Sequence, residues 1–558
     1  MKASYAVSLG LCAIQAANSE SITDSPEVSV SGRGTLVGNR SEYINSVYNF
    51  KNIPYGGAPT GEYRWKHPQH PSWNGTRDAT VFGLPCPQIA VSEYSEDCLT
   101  LNIWAPDNVT LNDVEDSTTA GLVGVVPTLS NSKLPVYVFF PGGGAGSLPA
   151  YDGAGLAAKG VIVITTNYRL GALGFLAHPE LSANSSSGTS GNYGLVDQQA
   201  SLHWINENIA SFGGDRDRIT IGGQSAGASS VLHHINSPLA TGLFNQVIAE
   251  SGPNWPSDPM LRGDSQSYRG EADAEAHGVE YFKTLNISTI AEARQLPVSD
   301  FLAADDMAEA VYATTVFADL VGNLYHEPLL FRPVLDGYVL PASYMTQLQE
   351  GNHSIVPVLT GNNRDEDGVV PAPGFSVTNY TSINTQIFGS VNLTNEFFKL
   401  YAAGNSSASA DLSSNAFYRD QRRVGTHLWA NAYSAGCAKN TSGNGTYNVY
   451  TYTWTHAPPG EDRGAYHGSE IPYAFSNLYA TDAAWTEEDY EIADRLSDYW
   501  VNFISNGNPN GNGLPNWPAN SASSATTFQV GDGWGVEPVA DEARFAFIKG
   551  WFSKWQAY

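Results

Sequence analysis

The chain of 558 residues carries little positive charge. Lys and Arg together number 28, against 55 Asp and Glu, which gives a formal net charge of −27. Proteins that bind nucleic acid need a basic surface to displace counterions from the phosphates, and anionic membranes attract basic segments in the same way. The composition therefore argues against a nucleic-acid partner and against docking on an anionic membrane.

Long hydrophobic runs are also missing. A membrane-spanning helix needs about 18 or more consecutive apolar residues, and the sequence contains no such run. The last residues, Phe552–Tyr558, carry no lipid-anchor, retention or peroxisomal signal. The expectation is a soluble, acidic, globular protein without a membrane anchor.

Cysteine is scarce, with four residues in the whole chain. Cys86 and Cys98 lie close together in the sequence and are plausible disulfide partners, whose cross-link would contribute about 3 kcal/mol in the chain-entropy model. Cys437 is expected to be a buried thiol in an Ala-rich helix, whereas Cys12 belongs to the N-terminal segment considered below. No Cys and His residues have the spacing of metal ligands, so neither a metal nor an organic cofactor is expected.

Apolar residues are plentiful by contrast, at 42% of the chain, and 55 Gly and 31 Pro indicate a fold rich in tight turns. Helical patterns cover residues 195–212 and 228–235, between short apolar runs. Six of these runs are predicted to be strands: Leu134–Phe140, Val161–Thr166, Arg218–Ile221, Val247–Glu250, Val356–Thr360 and Val449–Trp454.

Strands that alternate with helices predict an α/β fold, in which a mostly parallel central sheet carries helices on both faces. No internal repeat of 20 to 50 residues is visible. The stretch Gly507–Ala522 is rich in Gly, Pro and Asn and is interpreted as an exposed loop, because aromatic-rich sequence resumes behind it. Residues 20–558 are therefore expected to form one large domain with long insertions.

The first 19 residues have the pattern of a secretory signal. Lys2 precedes a moderately apolar stretch, and Ala17-Asn18-Ser19 satisfies the small-x-small cleavage rule, although a disordered N-terminus is the alternative. Asn-x-Ser/Thr glycosylation acceptors agree with export, and chance would supply roughly half of them: Asn39, Asn74, Asn108, Asn184, Asn286, Asn352, Asn379, Asn392, Asn405, Asn440 and Asn444. A secreted, extracellular glycoprotein is expected.

The pentapeptide Gly223–Gly227 contains Ser225 in a G-x-S-x-G pattern. The pattern alone is a weak signal, but here it follows a predicted strand and precedes a predicted helix. Such a turn needs small flanking residues and projects the serine hydroxyl above the edge of the sheet. Gly142–Gly144, directly after the Leu134–Phe140 strand, can turn several backbone N–H groups toward one point, although a plain turn explains a glycine run equally well.

A nucleophilic serine needs a histidine base and an acid that orients the base. Composition cannot choose among 12 histidines, but His467 lies in a loop that follows the Val449–Trp454 strand. Asp365, Glu366 and Asp367 lie together after another predicted strand, where a solvated acidic turn is the alternative interpretation. The candidates fit the nucleophile, acid, base order of the α/β-hydrolases.

Several separated segments resemble the type-B carboxylesterase and lipase family, the cholinesterase-like branch of the α/β-hydrolases. The resemblance covers nearly all of the chain after the signal. It implies an α/β-hydrolase fold and a serine esterase that hydrolyses small-molecule carboxylic esters through an acyl-enzyme, with Ser225 as nucleophile, Glu366 as acid and His467 as base. The segments are Asn52–Tyr55, Arg64–Trp65, Ser95–Trp104, Asn167–Gly171, Gly191–Gln199, Gly223–Gly227 and Gly507–Asn510.

The same resemblance implies two further features of the site. The N–H groups of Gly143, Gly144 and Ala226 would form an oxyanion hole, which stabilises the tetrahedral intermediate. The pair Cys86 and Cys98 looks like the first disulfide of the family.

The sequence departs from the family pattern at informative positions. Pro141 stands where relatives often have His, Ala145 where they often have an aromatic residue, and Gln224 where cholinesterases have Glu. The segment Pro87–Asp97 between the two cysteines is short and lacks the Trp that holds choline by cation–π contact. A soluble or short-chain ester is therefore expected as the substrate. The alternatives are a true lipase with a reduced lid and a non-catalytic binding protein of the same fold.

Overall fold

The structure is a computed structural model that describes residues 25–109, 111, 133–142, 146, 149–264, 266–321, 326–366, 374–440 and 447–557. The predicted signal segment, residues 1–19, lies outside this range. The strands in chain order are β1 Glu27–Val30, β2 Gly34–Val37, β3 Asn39–Arg40, β4 Val47–Pro54, β5 Thr76–Asp78, β6 Thr100–Pro106, β7 Leu134–Phe140, β8 Ile162–Thr166, β9 Gly214–Gln224, β10 Gln246–Glu250, β11 Arg269–Gly270, β12 Val334–Leu335, β13 Val358–Asn363, β14 Val449–Trp454, β15 Thr526–Val530 and β16 Gly535–Pro538.

One sheet contains eleven of these strands, in the order β16-β15-β14-β13-β10-β9-β7-β8-β6-β4-β3. The pairings from β15 through to β8 are all parallel, whereas those at both edges of the sheet are antiparallel. β1, β2 and β5 form a separate small sheet, and β11 pairs with β12. The prediction of a mostly parallel central sheet is confirmed.

The helices connect and cover these strands. The longest, α12, has 33 residues and packs against β13 and β14. No helix in the described part of the chain is long and apolar enough to cross a bilayer. The helices are α1 Ala154–Ala157, α2 Gly171–Phe175, α3 Pro179–Ala183, α4 Tyr193–Asn208, α5 Ala226–Asn236, α6 Glu271–Thr284, α7 Ile290–Ala293, α8 Ser299–Leu302, α9 Tyr344–Glu350, α10 Val377–Gly389, α11 Thr394–Leu400, α12 Ser407–Lys439, α13 Ile471–Ala474, α14 Glu487–Asn506 and α15 Glu542–Phe552.

The central strand β7 shows why the sheet is covered on both faces. Its residues from Pro135 to Phe140 are all buried, because a strand inside a parallel sheet needs apolar side chains on either side. Val136 and Val138 belong to one hydrophobic cluster, together with residues of α4 and α5. Tyr137 and Phe139 alternate with them and belong to a second cluster, together with residues of α14. Because successive side chains of a strand point to opposite faces of the sheet, β7 contributes to two separate hydrophobic clusters.

All six predicted strands are present in the structure; Leu134–Phe140 and Val449–Trp454 have the predicted ends, and the other four differ at one or both ends. The run predicted as Arg218–Ile221 is part of the longer β9, and the helix predicted over 195–212 is α4 followed by a 3-10 turn, Ile209–Phe212. The segment Gly507–Ala522 contains no helix or named strand, as expected for a loop. It is not wholly exposed, however, because Trp517 is fully buried and stacks on Phe528 with ring centroids 4.8 Å apart.

The order of the sheet decides where chemistry can occur. β14, β13, β10, β9 and β7 are consecutive neighbours and run parallel, so their carboxyl ends meet at one edge. Ligands of open α/β sheets bind in the crevice outside these ends. The segments that follow β7, β9, β13 and β14 carry all the residues implied as oxyanion-hole donors and catalytic groups.

Candidate active site

Ser225 lies in the sharp turn between β9 and α5. Its backbone has φ 59° and ψ −121°, which is an uncommon conformation for a residue with a side chain. Its N–H donates to the Glu250 carbonyl oxygen at the end of the neighbouring β10, at 3.0 Å. The strained turn is thus fixed by the sheet and presents the hydroxyl at the carboxyl edge.

The two glycines of the pentapeptide permit this turn because α5 leaves β9 at very close range. A Cβ atom added to Gly227 would lie 1.8 Å from the carbonyl oxygen of Phe140 in β7. One added to Gly223 would lie 2.3 Å from the backbone of Gly227. No side chain fits at either position, so the pattern G-x-S-x-G follows from backbone packing.

His467 and Glu366 come together from the loops after β14 and β13. The His467 Nδ1 atom lies 2.5 Å from the Glu366 Oε2 atom. The other carboxylate oxygen, Oε1, accepts a hydrogen bond from the Asn363 N–H at 2.8 Å. Ser225, Glu366 and His467 all line the same cavity, so the three predicted residues converge on one space.

Asp365 has a different environment from its neighbour Glu366. Its carboxylate accepts hydrogen bonds from Arg419 at 2.9 Å and Arg364 at 3.0 Å, and from the Ala465 N–H at 3.0 Å. The bond from Ala465 ties the end of β13 to the loop that carries His467, and the bond from Arg419 ties it to α12. Asp367, the third acidic candidate, lies outside the described residues.

The electrostatics of the pair favour its charged form. Burial alone would lower the pKa of the His467 imidazole, but the Glu366 and Glu470 carboxylates raise that pKa to about 9. Burial alone would raise the pKa of Glu366, but the imidazolium and the Asn363 N–H bring it below its ordinary value. About 41% of the His467 side-chain surface remains accessible, because the ring opens onto the cavity.

A buried pair of carboxyl groups, one of which acts on the His467 imidazole, was not identified from the sequence. Glu250 and Glu470 are fully buried. Burial and the Glu470 charge raise the pKa of Glu250 well above its ordinary value, and burial raises the pKa of Glu470 to about 7 although Asn363 donates a hydrogen bond to it. The sequence did contain a signal for Glu250: it is a charged residue at the end of the apolar predicted strand Val247–Glu250, and no basic residue adjoins it.

The implied oxyanion hole is described only in part. Ala226 is the first residue of α5, whose N-terminus directs backbone N–H groups toward the nucleophile's turn. Gly143 and Gly144 lie outside the described residues. Gly142, the last described residue before them, is adjacent to Ser225 and Gln224, since a Cβ atom added to it would lie 3.3 Å from the Ser225 Cβ atom.

Gln224 contacts His467 from the side of Ser225. Its Nε2 atom lies 3.1 Å from the His467 Nε2 atom, and the residue is buried. When the imidazole is neutral and its Nδ1–H is directed at Glu366, Nε2 is the acceptor and the Gln224 amide is the donor. The sequence showed Gln224 where cholinesterases have Glu, but only the fold shows that this position faces His467.

The structure contains the disulfide between Cys86 and Cys98, which are 12 positions apart. Cys437 is a buried thiol in α12 that takes no part in the disulfide, and burial raises its pKa to about 11. Within the disulfide loop, the Ile89 side chain is half exposed and lines a cavity, while its N–H donates to Asp305 at 3.1 Å. The short loop therefore forms part of the rim of the site.

Two adjoining cavities give access to Ser225. The first has a volume of about 310 Å³ and is lined by Ser225, Glu366 and His467. The second, of about 670 Å³, begins at Ala226 and extends toward the disulfide loop. Ser229, Asp264 and His326 line both, which places the nucleophile's turn at their junction.

The fold and the site define an α/β-hydrolase. Residues 24–547 match the carboxylesterase family. The chain is 31% identical to the fumonisin B1 esterase of Sphingopyxis macrogoltabida over 92% of this chain and 89% of that protein, and 32% identical to the para-nitrobenzyl esterase of Bacillus subtilis (strain 168) over 85% and 89%. A solved PNB esterase structure superposes with a TM-score of 0.70 and 29% identity, and covers 94% of this chain and 99% of that one.

This chain belongs to the carboxylesterase family. It is a carboxylic ester hydrolase, as the sequence predicted, and the alternatives of a lipase or a non-catalytic binder are not favoured by these relatives.

Proposed function

We propose that Ser225, His467 and Glu366 are the catalytic triad of this esterase. The observation that carries the proposal is that the strained Ser225 lines the same cavity as His467 and Glu366. The His467 Nδ1 and Glu366 Oε2 atoms are 2.5 Å apart. Glu366 is preferred to Asp365 as the acid because it contacts the imidazole, whereas Asp365 bonds to two arginines.

Acyl transfer then takes place in two halves. His467 Nε2 accepts the proton of Ser225 as its oxygen attacks the ester carbonyl, and Glu366 stabilises the imidazolium and fixes the tautomer with Nδ1 protonated. The imidazolium returns the proton to the departing alcohol. Water then enters, is activated by the same histidine and hydrolyses the acyl-enzyme, which restores the free serine.

Backbone N–H groups stabilise the negative charge on the carbonyl oxygen in both halves. We assign this role to Gly143, Gly144 and Ala226, each donor being worth about 3 kcal/mol in related chemistry. The support is the position of Ala226 at the N-terminus of α5 and of Gly142 beside the nucleophile. The reaction needs no metal or organic cofactor.

A fluorophosphonate probe tests the triad, since it reacts with activated serines. The native enzyme should be labelled at Ser225, and Ser225→Ala should lose both the label and ester hydrolysis. Ser229→Ala is the matched control, because Ser229 lies one helical turn away in the same cavity and should keep both. Labelling that survives in Ser225→Ala would contradict the assignment, and an unlabelled native protein would favour a binding protein.

Soluble, short-chain esters are the proposed substrates. The loop closed by Cys86 and Cys98 is too short to form a lid over a wide acyl tunnel. Activity toward a long-chain ester should therefore change smoothly across its solubility limit. A sharp rise at that limit would instead indicate a lipase.

We propose that the mature protein is one domain, residues 20–558, which is secreted after cleavage of residues 1–19. The described acceptor asparagines other than Asn39 are exposed, as glycosylation requires, and the disulfide suits an oxidising compartment. N-terminal sequencing of the protein in the culture medium should begin at Glu20, and peptide N-glycosidase should reduce its mass. Retention of the whole enzyme in the cell, with residues 1–19 intact, would contradict this.

A further inference from the structure

The two cavities that adjoin beside Ser225 differ in chemical character. In the smaller one, every side chain contributed by the described residues is polar or charged. The larger one contains hydrocarbon and aromatic surface from different parts of the chain: Tyr168, Leu170, Phe175, Leu195, Leu329 and Phe331. An ester bound at the junction therefore places its two halves in different environments.

An ion pair forms part of the wall of the smaller cavity. Arg422, on α12, lies with Nη1 2.5 Å from the Asp264 Oδ2 atom and Nη2 3.3 Å from Oδ1. Their side chains are 15% and 25% accessible, so the pair is partly desolvated but still faces the cavity. Arg422 also lowers the pKa of His467, which shows that its charge is felt at the catalytic base.

Buried amides hold this ion pair in position. Asn254 donates to the Asp264 carboxylate at 2.8 Å and accepts from Arg422 at 3.3 Å. The Asn254 N–H in turn donates to the Gln266 side-chain oxygen at 3.2 Å, and both amide residues are buried. The pair is thus a built element of the wall with a fixed geometry, unlike a flexible surface contact.

The physical chemistry of such a wall selects what can enter. A hydrocarbon group would displace water from both charges without replacing its hydrogen bonds, which carries a large penalty. A substrate carboxylate would be repelled, because the negative charges of Asp264 and Glu366 outnumber the positive charge of Arg422 when the His467 imidazole is neutral. A neutral hydroxyl or carboxamide can donate to Asp264 and accept from Arg422, and it adds no charge.

We propose that the smaller cavity is a subsite for a neutral hydroxyl- or carboxamide-bearing half of the ester, recognised by Arg422 and Asp264, while the apolar half occupies the larger cavity. This inference rests on the proposed function of Ser225. It makes the two residues determinants of specificity, with no part in bond making or breaking.

Matched esters test the subsite. One series keeps the alcohol constant and ends the acyl chain in a methyl, hydroxymethyl, carboxamide or carboxylate group; a second series varies the alcohol in the same way at a constant acyl group. In one of the two series, the hydroxymethyl and carboxamide esters should exceed the methyl ester in kcat/KM by about tenfold or more, and the carboxylate ester should be the slowest. A methyl or carboxylate ester that is fastest in both series would overturn the proposal.

Variants of the ion pair provide the second arm. The double variant Arg422→Met/Asp264→Leu replaces both charges with apolar groups of similar size, a change that proteins often tolerate, and should make the methyl ester the fastest. Arg423→Met/Glu537→Leu is the matched control, because it removes the next ion pair along α12, which does not line either cavity. The control should keep the native order of esters.

Asp264→Asn covers the case in which the double variant does not fold. It leaves the Arg422 charge unbalanced, so the carboxylate ester should gain about tenfold relative to the hydroxymethyl ester. Fluorophosphonate labelling of Ser225 is measured in parallel, since its absence from the native enzyme would refute the proposed function and not the subsite. An unchanged order of esters in labelled Asp264→Asn and in the labelled double variant would overturn the subsite.

Discussion

At the scale of single residues, the reactivity of the site depends on what surrounds the His467 imidazole. Glu366 faces its Nδ1 atom, Gln224 faces its Nε2 atom, and the buried Glu470 adds a second negative charge close by. The two carboxylates outweigh both burial and Arg422, so the imidazole holds its proton more tightly than a free histidine does. This has consequences for the pH dependence of the reaction.

In the native enzyme, kcat/KM should rise with pH, and the midpoint of this acid limb should lie near pH 9, above the ordinary histidine pKa of about 6.5. The reason is that only the neutral imidazole acts as the base, and its raised pKa keeps it protonated until the pH approaches 9. Glu366→Gln should move the limb to lower pH, because it removes the main charge that raises this pKa, and should also reduce the plateau by orders of magnitude.

Asp365→Asn is the control for that experiment, since the carboxylate lies one position away and does not contact the imidazole. It should leave the limb in place. A limb that moves in Asp365→Asn and stays in Glu366→Gln would show that the wrong carboxylate is assigned as the acid.

Gln224 gives a second prediction at this scale. Gln224→Glu introduces a carboxylate of the same shape 3.1 Å from Nε2, which should stabilise the imidazolium and raise the acid limb further. Gln224→Met removes the hydrogen bond without adding charge, so its limb should stay nearer to that of the native enzyme. Steady-state pH profiles of the three proteins distinguish these outcomes, and identical limbs for Glu and Met would refute an electrostatic role for this position.

At the scale of elements, the site depends on how closely α5 approaches the ends of β7 and β9. Gly227→Ala should lower the free energy of unfolding by about 1–3 kcal/mol, because its methyl group would lie 1.8 Å from the Phe140 oxygen and the elements must separate. The same shift displaces the N–H of Ala226, so kcat should fall as well. Chemical denaturation and steady-state kinetics measure the two effects.

Gly550→Ala is the matched control for that substitution. Gly550 lies in α15, and an added Cβ atom would meet nothing within 4 Å. Alanine there should leave stability unchanged or raise it by up to about 1 kcal/mol, since it is the better helix former. Equal effects of the two substitutions would contradict the packing explanation of the pentapeptide.

At the scale of the whole molecule, the dominant feature is a net charge of −27. Self-repulsion of this size opposes the compact state, and salt screens it, because the Debye length falls from about 30 Å at 0.01 M to about 8 Å at 0.15 M. The Tm should therefore rise by about one to three degrees between these ionic strengths at pH 8. At a pH close to the sequence pI of about 4.7, the same increase in salt concentration should not raise the Tm. A Tm that falls with salt at pH 8 would mean that attractive ion pairs dominate.

The sequence by itself determined those features that are encoded locally. Apolar runs such as Leu134–Phe140 specify strands, and Gly223–Gly227 specifies the turn, because neighbouring residues settle them. The fold class followed from the alternation of strands with helices. The ends of β9 were misjudged, since its outer residues are polar or glycine and carry no apolar strand pattern, whereas in the fold Gly222–Gln224 pair with the neighbouring strand β10.

The tertiary structure alone decided which distant side chains meet. Asp365 and Glu366 are equivalent in sequence, and only the packing of β13 beside β14 sends one to the arginines and the other to His467. Arg422 and Asp264 are 158 residues apart, and their pairing depends on where α12 crosses the edge of the sheet. Hydrogen bonds and charges act over a few ångströms in space, regardless of separation along the chain, so the chemistry of this site became specific only when the chain had folded.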